Sequence, residues 1–367
     1  MVKMALRFFS LTRTSKKCLL LLLFLVGFVN WYLGIRSVDL SDHEEPGRNN
    51  YRAVSRDQPV TEHGKPHNYT KLVTLNKRVD SESCPSWCYG RPSRHDQHTE
   101  RNDSTKTKPY FLTAVLSFRI YDWKDKAKLS TRELNQWIRY VSYAGADHVY
   151  LYDAYVYQNE SQKEGVQDFI ASGFVTYTDW HHRAAPFSLG WTQAGAYADC
   201  IQRWGDLTSW QLGVDMDEYP FVPADREPGF LARYLRAFDS SSPTAASISE
   251  LSMPNYLYLG KPLDVKKHPL LIDRIWRRSK KPANHLVKPV YRPAAIRHPD
   301  IHHNSLKYGT SKTLPDNGLR MNHYWGSRLQ NWGDDTKEVL DMTVDDRSME
   351  PVIASLYKCD SCRPPYQ

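Results

Sequence analysis

The sequence of 367 residues predicts an α/β fold, a mostly parallel sheet with helices on both faces, carried behind a membrane-spanning helix and a stem. Three observations carry this prediction. Apolar runs of strand length alternate with helical patterns from residue 109 to residue 215, one of those helices signals both of its ends, and an uncharged run near the N-terminus follows a group of cations. Alternating strands and helices at this spacing build βαβ units, because parallel strands need a long crossover that covers the sheet.

The chain begins with Lys3, Arg7, Arg13, Lys16 and Lys17, continues through the uncharged residues 18–35, and then meets Asp39, Asp42, Glu44 and Glu45. A helix of about 18 residues, rising about 1.5 Å per residue, reaches across a thin bilayer. Cations ahead of it keep the N-terminus cytoplasmic and send the remainder across. The run ends in Asn30, Trp31, Tyr32 and Leu33, not in the small residues of a signal-peptide cleavage site. The expected topology is therefore type II: a cytoplasmic tail at 1–17, a transmembrane anchor at 18–35 and a lumenal remainder. Much of the net charge of +8 lies in that tail, so nucleic-acid binding loses its main support. With 41% hydrophobic and 13% aromatic residues the chain is neither disordered nor collagen-like. Sequons at Asn68, Asn102 and Asn159 fit a lumenal, glycosylated protein.

Residues 36–108 are polar, charged and poor in apolar runs, and read as a lumenal stem. Cys84 and Cys88 lie there, while Cys359 and Cys362 lie in the expected C-terminal tail, 351–367. Four such cysteines could hold zinc. In an oxidising lumen two disulfides are favoured, either local or joining stem to tail. Cys200 is left as a buried free thiol.

The expected catalytic domain spans 109–350. Residues 110–118 form an apolar strand. Ser130 and Glu133 make a capping box ahead of Leu134, Trp137, Ile138 and Val141, and Gly145 ends that helix. A strand over 148–152 runs to Asp153. Val166, Phe169 and Ile170 with Gly173 repeat the helix pattern, residues 174–177 form another strand, and Ala194, Tyr197, Cys200, Ile201 and Trp204 share a helix face. The strand 210–214 then delivers Asp215.

Asp215-Met216-Asp217-Glu218 therefore stands at the carboxyl end of a strand, where ligands bind in such sheets. In an extended chain residues i and i+2 point the same way, so Asp215 and Asp217 would share one hard cation, Mn²⁺ or Mg²⁺, with a bound diphosphate. Such a leaving group needs cationic partners as charge develops on it. Lys288 and Arg292 in Lys-Pro-Val-Tyr-Arg-Pro, and His298, His302, His303 and His323, offer them. Arg274, Arg277, Arg278, Lys280 and Lys281 read as a solvated basic surface. Signatures of P-loop, serine-hydrolase and zincin chemistry do not occur.

These blocks resemble glycosyltransferase family 92. The resemblance rests on Gln136-Trp137-Ile138, the run from Gly145 to Asp153, Gln193 with Cys200, Trp210, the run from Asp215 to Tyr219, the run from Lys288 to Pro293, His302, and His323-Tyr324 with Ser327. It implies a GT-A-like, Rossmann-type βαβ sandwich and a Golgi, metal-dependent, inverting transferase that uses a nucleotide sugar, most often UDP-galactose, and a glycan acceptor. By the same resemblance Asp215 and Asp217 hold the metal, His323 is a third ligand, and Arg119 and Asp153 contact the nucleotide. Gln193 falls in a matching block and is grouped with the donor-binding residues. Lys288, Arg292 and His302 would neutralise the diphosphate. A carboxylate must accept the acceptor's proton. Glu250 is the first candidate, with Glu218 and Asp300 as rivals. Two other functions compete with transfer: a membrane-tethered metal-dependent phosphohydrolase, since clustered Asp and His build hydrolase sites, and a non-catalytic carbohydrate binder with stacking aromatics. Acceptor, linkage and oligomeric state are not encoded in these motifs.

Overall fold

The computed structural model describes residues 84–90, 108–120, 129–184, 189–283, 286–328 and 333–360, all of them within the compact unit Leu75–Gln367. The anticipated anchor at 18–35, the sequons at Asn68 and Asn102, and most of the stem lie outside the described residues. Among the described residues no helix is long and apolar enough to cross a membrane.

The first half alternates as the sequence implies. Its elements are β1 (Tyr110–Phe118), α1 (Thr131–Ala144), β2 (His148–Asp153), α2 (Gln167–Ala171), β3 (Val175–Asp179), α3 (His181–Ala184), α4 (Leu189–Trp204) and β4 (Thr208–Gly213). Both ends of α1 form as signalled: Ser130 and Glu133 close a capping box, and Gly145 takes the left-handed conformation at φ 104°. Downstream come β5 (Glu218–Phe221), α5 (Phe230–Ser240), β6 (Ile248–Met253), β7 (Asn255–Leu257), β8 (Lys288–Tyr291), β9 (Thr310–Thr313), β10 (Arg320–His323) and α6 (Glu350–Asp360).

Seven strands form the main sheet in the order β9-β6-β8-β4-β1-β2-β3. The β8 strand runs antiparallel to β4 and β6, and the other pairings are parallel. Side-chain alternation along β1 decides what covers each face. Leu112, Ala114 and Leu116 join the core that contains Leu134, Trp137 and Ile138 of α1, whereas Val115 joins Tyr197 and Cys200 of α4. Helices thus cover both faces. A second sheet, β5-β10-β7, sits beyond β4 and pairs Glu218 with His323.

Three expectations are corrected. Residues from 351 onward are not simply a tail, since α6 buries Val352, Ile353 and Leu356 in the core. The end of the stem belongs to the folded unit as well. Trp87 packs edge-on to Tyr143 of α1 at 4.7 Å, and Cys88 forms a disulfide with Cys359 across 271 residues. That bond joins stem to C-terminus and excludes a four-cysteine zinc site; Cys84 is also disulfide-bonded. Cys200 is the buried free thiol. Lastly, the basic cluster is not all solvated surface. Arg274 is buried against Glu133, and Arg278 pairs with Asp346.

Candidate functional site

The parallel strands β3, β2, β1 and β4 finish along one edge of the sheet, with Phe118 level with Asp153 and Asp153 level with Asp179. Beyond β4 the chain does not stay extended. Glu218 N donates to the Asp215 carbonyl at 3.0 Å, and Asp215 N donates to Glu218 Oε2 at 2.8 Å. Asp215 to Glu218 is thus a turn that the acidic side chain itself clamps. This overturns the geometric premise that Asp215 and Asp217 project side by side from an extended strand. The side chain of Asp215 keeps 23% exposure, while Asp217 and Glu218 are fully buried.

The turn is held from four directions. Gln193 of α4 donates through Nε2 to Asp215 Oδ1, and it reaches Tyr197 OH one helical turn further on. Gly213 admits this packing, because a Cβ there would lie 3.2 Å from the Tyr197 ring. From α1, Trp137 Nε1 donates to the Glu218 carbonyl and Tyr140 OH to that of Pro220. From β8, Lys288 Nζ lies 3.1 Å from Asp215 Oδ2 and 3.2 Å from Glu218 Oε2. Strand register supplies the imidazole: His323 Nε2 is 3.2 Å from Asp217 Oδ2, and Nδ1 is 3.3 Å from Glu218 Oε1. Asn255 Nδ2 approaches the same Nδ1 at 3.4 Å.

Electrostatics follow from this enclosure. Burial pushes the Glu218 carboxyl up, and the Lys288 ammonium opposes that push. Burial alone would lower Lys288, but Asp215 and Glu218 outweigh it and hold the ammonium charged. His302, whose Nδ1 lies 3.0 Å from the Val287 carbonyl, is pushed down by burial and by Lys288. Lys288 thus serves two of the turn's three carboxylates, and the third, Asp217, is paired with His323.

Asp217 Oδ2 and His323 Nε2, 3.2 Å apart, are the pair that could hold a divalent ion. The carboxylate oxygen is of the kind that Mn²⁺ and Mg²⁺ prefer, and an imidazole nitrogen is a common ligand of transition-metal ions. Asp215 is directed instead to Gln193 and Lys288. Among the described residues, the His/Cys/Asp/Glu donor atoms that gather within 4.8 Å as a group of three belong to Asp179, His181 and His182.

Several anticipated residues lie elsewhere or are engaged internally. Arg292 does not reach the turn. Antiparallel β8 carries Lys288 at one end, and four residues at about 3.3 Å each put Arg292 about 13 Å away. There it pairs with Asp239 and stacks over Trp210. Glu250 sits in mid-strand, three residues before the Met253 that pairs with Lys288, and its carboxylate accepts from Asn304 and Ser311. Asp300 is exposed and its Oδ1 accepts from the backbone of His302 and His303. Asp153 is fully buried, with Oδ2 accepting from Gln162 N and Tyr177 OH. Arg119 donates to the Ala154 carbonyl beside it. His298 is exposed on a short strand paired to Ser305. The sequence reading missed Asn255 and Tyr197. The i, i+4 spacing of Gln193 and Tyr197 on one helix was the available signal for the latter.

A solved structure, 4-diphosphocytidyl-2C-methyl-D-erythritol synthase from Anaerococcus prevotii DSM 20548, is similar over 68% of this chain and 96% of its own, at 8% identity and a TM-score of 0.29. Curated proteins give no match. The family model for glycosyltransferase family 92 matches residues 128–356, which takes in α1, the acid turn, Lys288 and His323. With more than half of its length matched, the chain belongs to glycosyltransferase family 92.

Proposed function

We propose that this glycosyltransferase is a metal-dependent, inverting enzyme that moves galactose from UDP-galactose to a glycan acceptor in the Golgi lumen, anchored by residues 18–35. The observation that carries the reading is the convergence of Asp215, Asp217, Glu218, Lys288 and His323 beyond the carboxyl end of β4 in a family 92 chain. The anchor and the Golgi location rest on the cation-then-apolar N-terminus, and the donor sugar on the family resemblance.

In this proposal Asp217 and His323 hold Mn²⁺, or Mg²⁺ in its place. The ion, when bound, would neutralise charge on the departing diphosphate. Lys288 pairs with Asp215 and Glu218 and fixes both, so the turn is preorganised before donor arrives. Gln193 orients Asp215, and Trp137 and Tyr140 prevent the turn from shifting. In the same proposal Arg119 contacts the nucleotide and His302 helps neutralise the diphosphate, while Asp153 positions the loop that follows β2 by accepting from Gln162 N. Arg292 acts at the opposite end of β8 as a structural residue. Of the three carboxylates considered for the acceptor's proton, Asp300 alone is exposed, whereas Glu218 and Glu250 are buried and already paired. The proposal therefore places proton transfer on Asp300.

The test is to incubate the purified full chain with a panel of UDP-sugars, an acceptor panel and Mn²⁺, with and without chelator. Sugar transfer, or slow donor hydrolysis, that requires the ion and prefers UDP-galactose is the expected result. Cleavage of phosphate esters without sugar selectivity would identify a phosphohydrolase, and glycan binding without turnover would identify a binding protein. Either result overturns the proposal.

A further inference from the structure

We propose that Asp179, His181 and His182 form a second metal site, for a divalent ion of zinc type, at the end of β3. The three residues each offer one donor atom, and these atoms lie within 4.8 Å of one another. Tetrahedral zinc with bonds of about 2.0–2.2 Å sets its ligand atoms about 3.4 Å apart, so closure needs movements of about 1 Å. Exposed side chains can supply that. Part of the set is already closer, with His181 Nδ1 at 2.6 Å from Asp179 Oδ1.

The surroundings resemble the outer shell of a built site. Tyr155 is 2% exposed, donates its hydroxyl to Asp179 Oδ2 at 2.8 Å, and stacks its ring on His181 at 4.8 Å and 12°. One buried side chain thus fixes both the carboxylate and the imidazole, as outer partners do for metal ligands. A simpler role accounts for part of the cluster. Asp179 Oδ1 accepts from His181 N at 3.2 Å and so caps the turn into α3. Capping uses Asp179 and the backbone of His181, and it gives His182 no task. The ring of His182 meets only the edges of Trp180 and His181 among its described ring contacts, at 6.2 and 5.7 Å.

Donor chemistry separates this site from the acid turn. Two imidazoles and one carboxylate, with a fourth position open to water, suit zinc, whereas Mn²⁺ and Mg²⁺ favour oxygen ligands. Three strand spacings, about 14 Å, separate the end of β3 from β4, so one ion cannot serve both. Zinc bound here would pin the junction of β3 and α3. The inference does not depend on sugar transfer.

Chelator-stripped full chain is titrated with Zn²⁺ alone by calorimetry, and Co²⁺ is substituted to give an absorption spectrum that reports nitrogen ligation. The wild type and Asp217→Asn should bind a zinc ion with equal affinity. His182→Ala should weaken that binding at least tenfold and change the Co²⁺ spectrum. Unfolding of the same samples keeps the test independent of folding defects: zinc should raise the midpoint of the wild type but not of His182→Ala, whose zinc-free midpoint should match the wild type. Should His182→Ala fail to fold, His181→Ala takes its place with the same expectation. Unchanged zinc affinity in the His variants, loss of binding in Asp217→Asn alone, or no zinc binding by the wild type would overturn the proposal and leave Asp179 as a turn cap.

Discussion

Replacing Lys288 with Met tests whether the acid turn is held by one buried ammonium. Lys288 is 1% exposed and lies 3.1 and 3.2 Å from two carboxylates. Met fills most of the same volume but leaves Glu218 fully buried without its main counter-charge. Breaking a buried pair from one side costs about 3–5 kcal/mol. Asp215 adds little to that, because its 23% exposure lets water replace the lysine. The loss should depend on pH in a definite direction. Burial raises the Glu218 pKa above its unfolded value while Lys288 restrains it. A carboxyl with a raised folded pKa contributes stability that is complete below about pH 4 and is lost as pH rises through the folded pKa. Without Lys288 that folded pKa climbs further, so Glu218 takes up a proton and the deficit shrinks on acidification. Urea unfolding of both proteins at pH 8 and pH 5 measures this. We expect a deficit of about 3 kcal/mol or more at pH 8 and a smaller one at pH 5. A deficit below about 0.5 kcal/mol at pH 8, the range of ordinary surface changes, or one that grows on acidification would refute the reasoning.

Asp153→Asn removes a carboxyl that burial pushes up to about 6. Its contribution is complete below about pH 4 and is lost as pH rises through about 6, so about 3 kcal/mol of pH-dependent stability should disappear in the variant, as read by unfolding between pH 4 and pH 8. Cys88→Ser opens the disulfide to Cys359 and should cost about 2–5 kcal/mol, seen as a lowered melting temperature under non-reducing conditions; reductant should lower the variant less than the wild type, because only the Cys84 bond is left to break. Asp217→Ala should abolish transfer while circular dichroism stays native, and normal transfer would remove Asp217 from the metal site. Asp300→Asn should keep donor affinity and lose turnover, and unchanged turnover would eliminate it as the base.

The legible half of the fold is the half built on local signals. Ser130, Glu133 and Gly145 fix α1 at both ends without reference to anything distant, and the aromatic run of β1 admits little else. The illegible part depends on direction and on long range. Nothing in Lys-Pro-Val-Tyr-Arg says that the strand runs against its neighbours, yet that reversal separates Lys288 from Arg292. Arg274 finds Glu133 across 141 residues, so its charge reads as surface until the fold is known. The acid turn shows a subtler limit. Its residues and its place after β4 were visible, but the backbone bond from Glu218 to Asp215 turns the two aspartates onto different partners. At the C-terminus, the spacing of Val352, Ile353 and Leu356 did carry a helical signal that the neighbouring cysteines obscured.

In the proposed function Asp217 and His323 grip a divalent ion together with a nucleotide diphosphate. Electron paramagnetic resonance of free Mn²⁺, titrated with the full chain in the presence and absence of UDP, tests it most directly. UDP should tighten Mn²⁺ binding in the wild type, and Asp217→Asn and His323→Ala should each lose this enhancement. UDP-dependent binding that survives in both variants would contradict it.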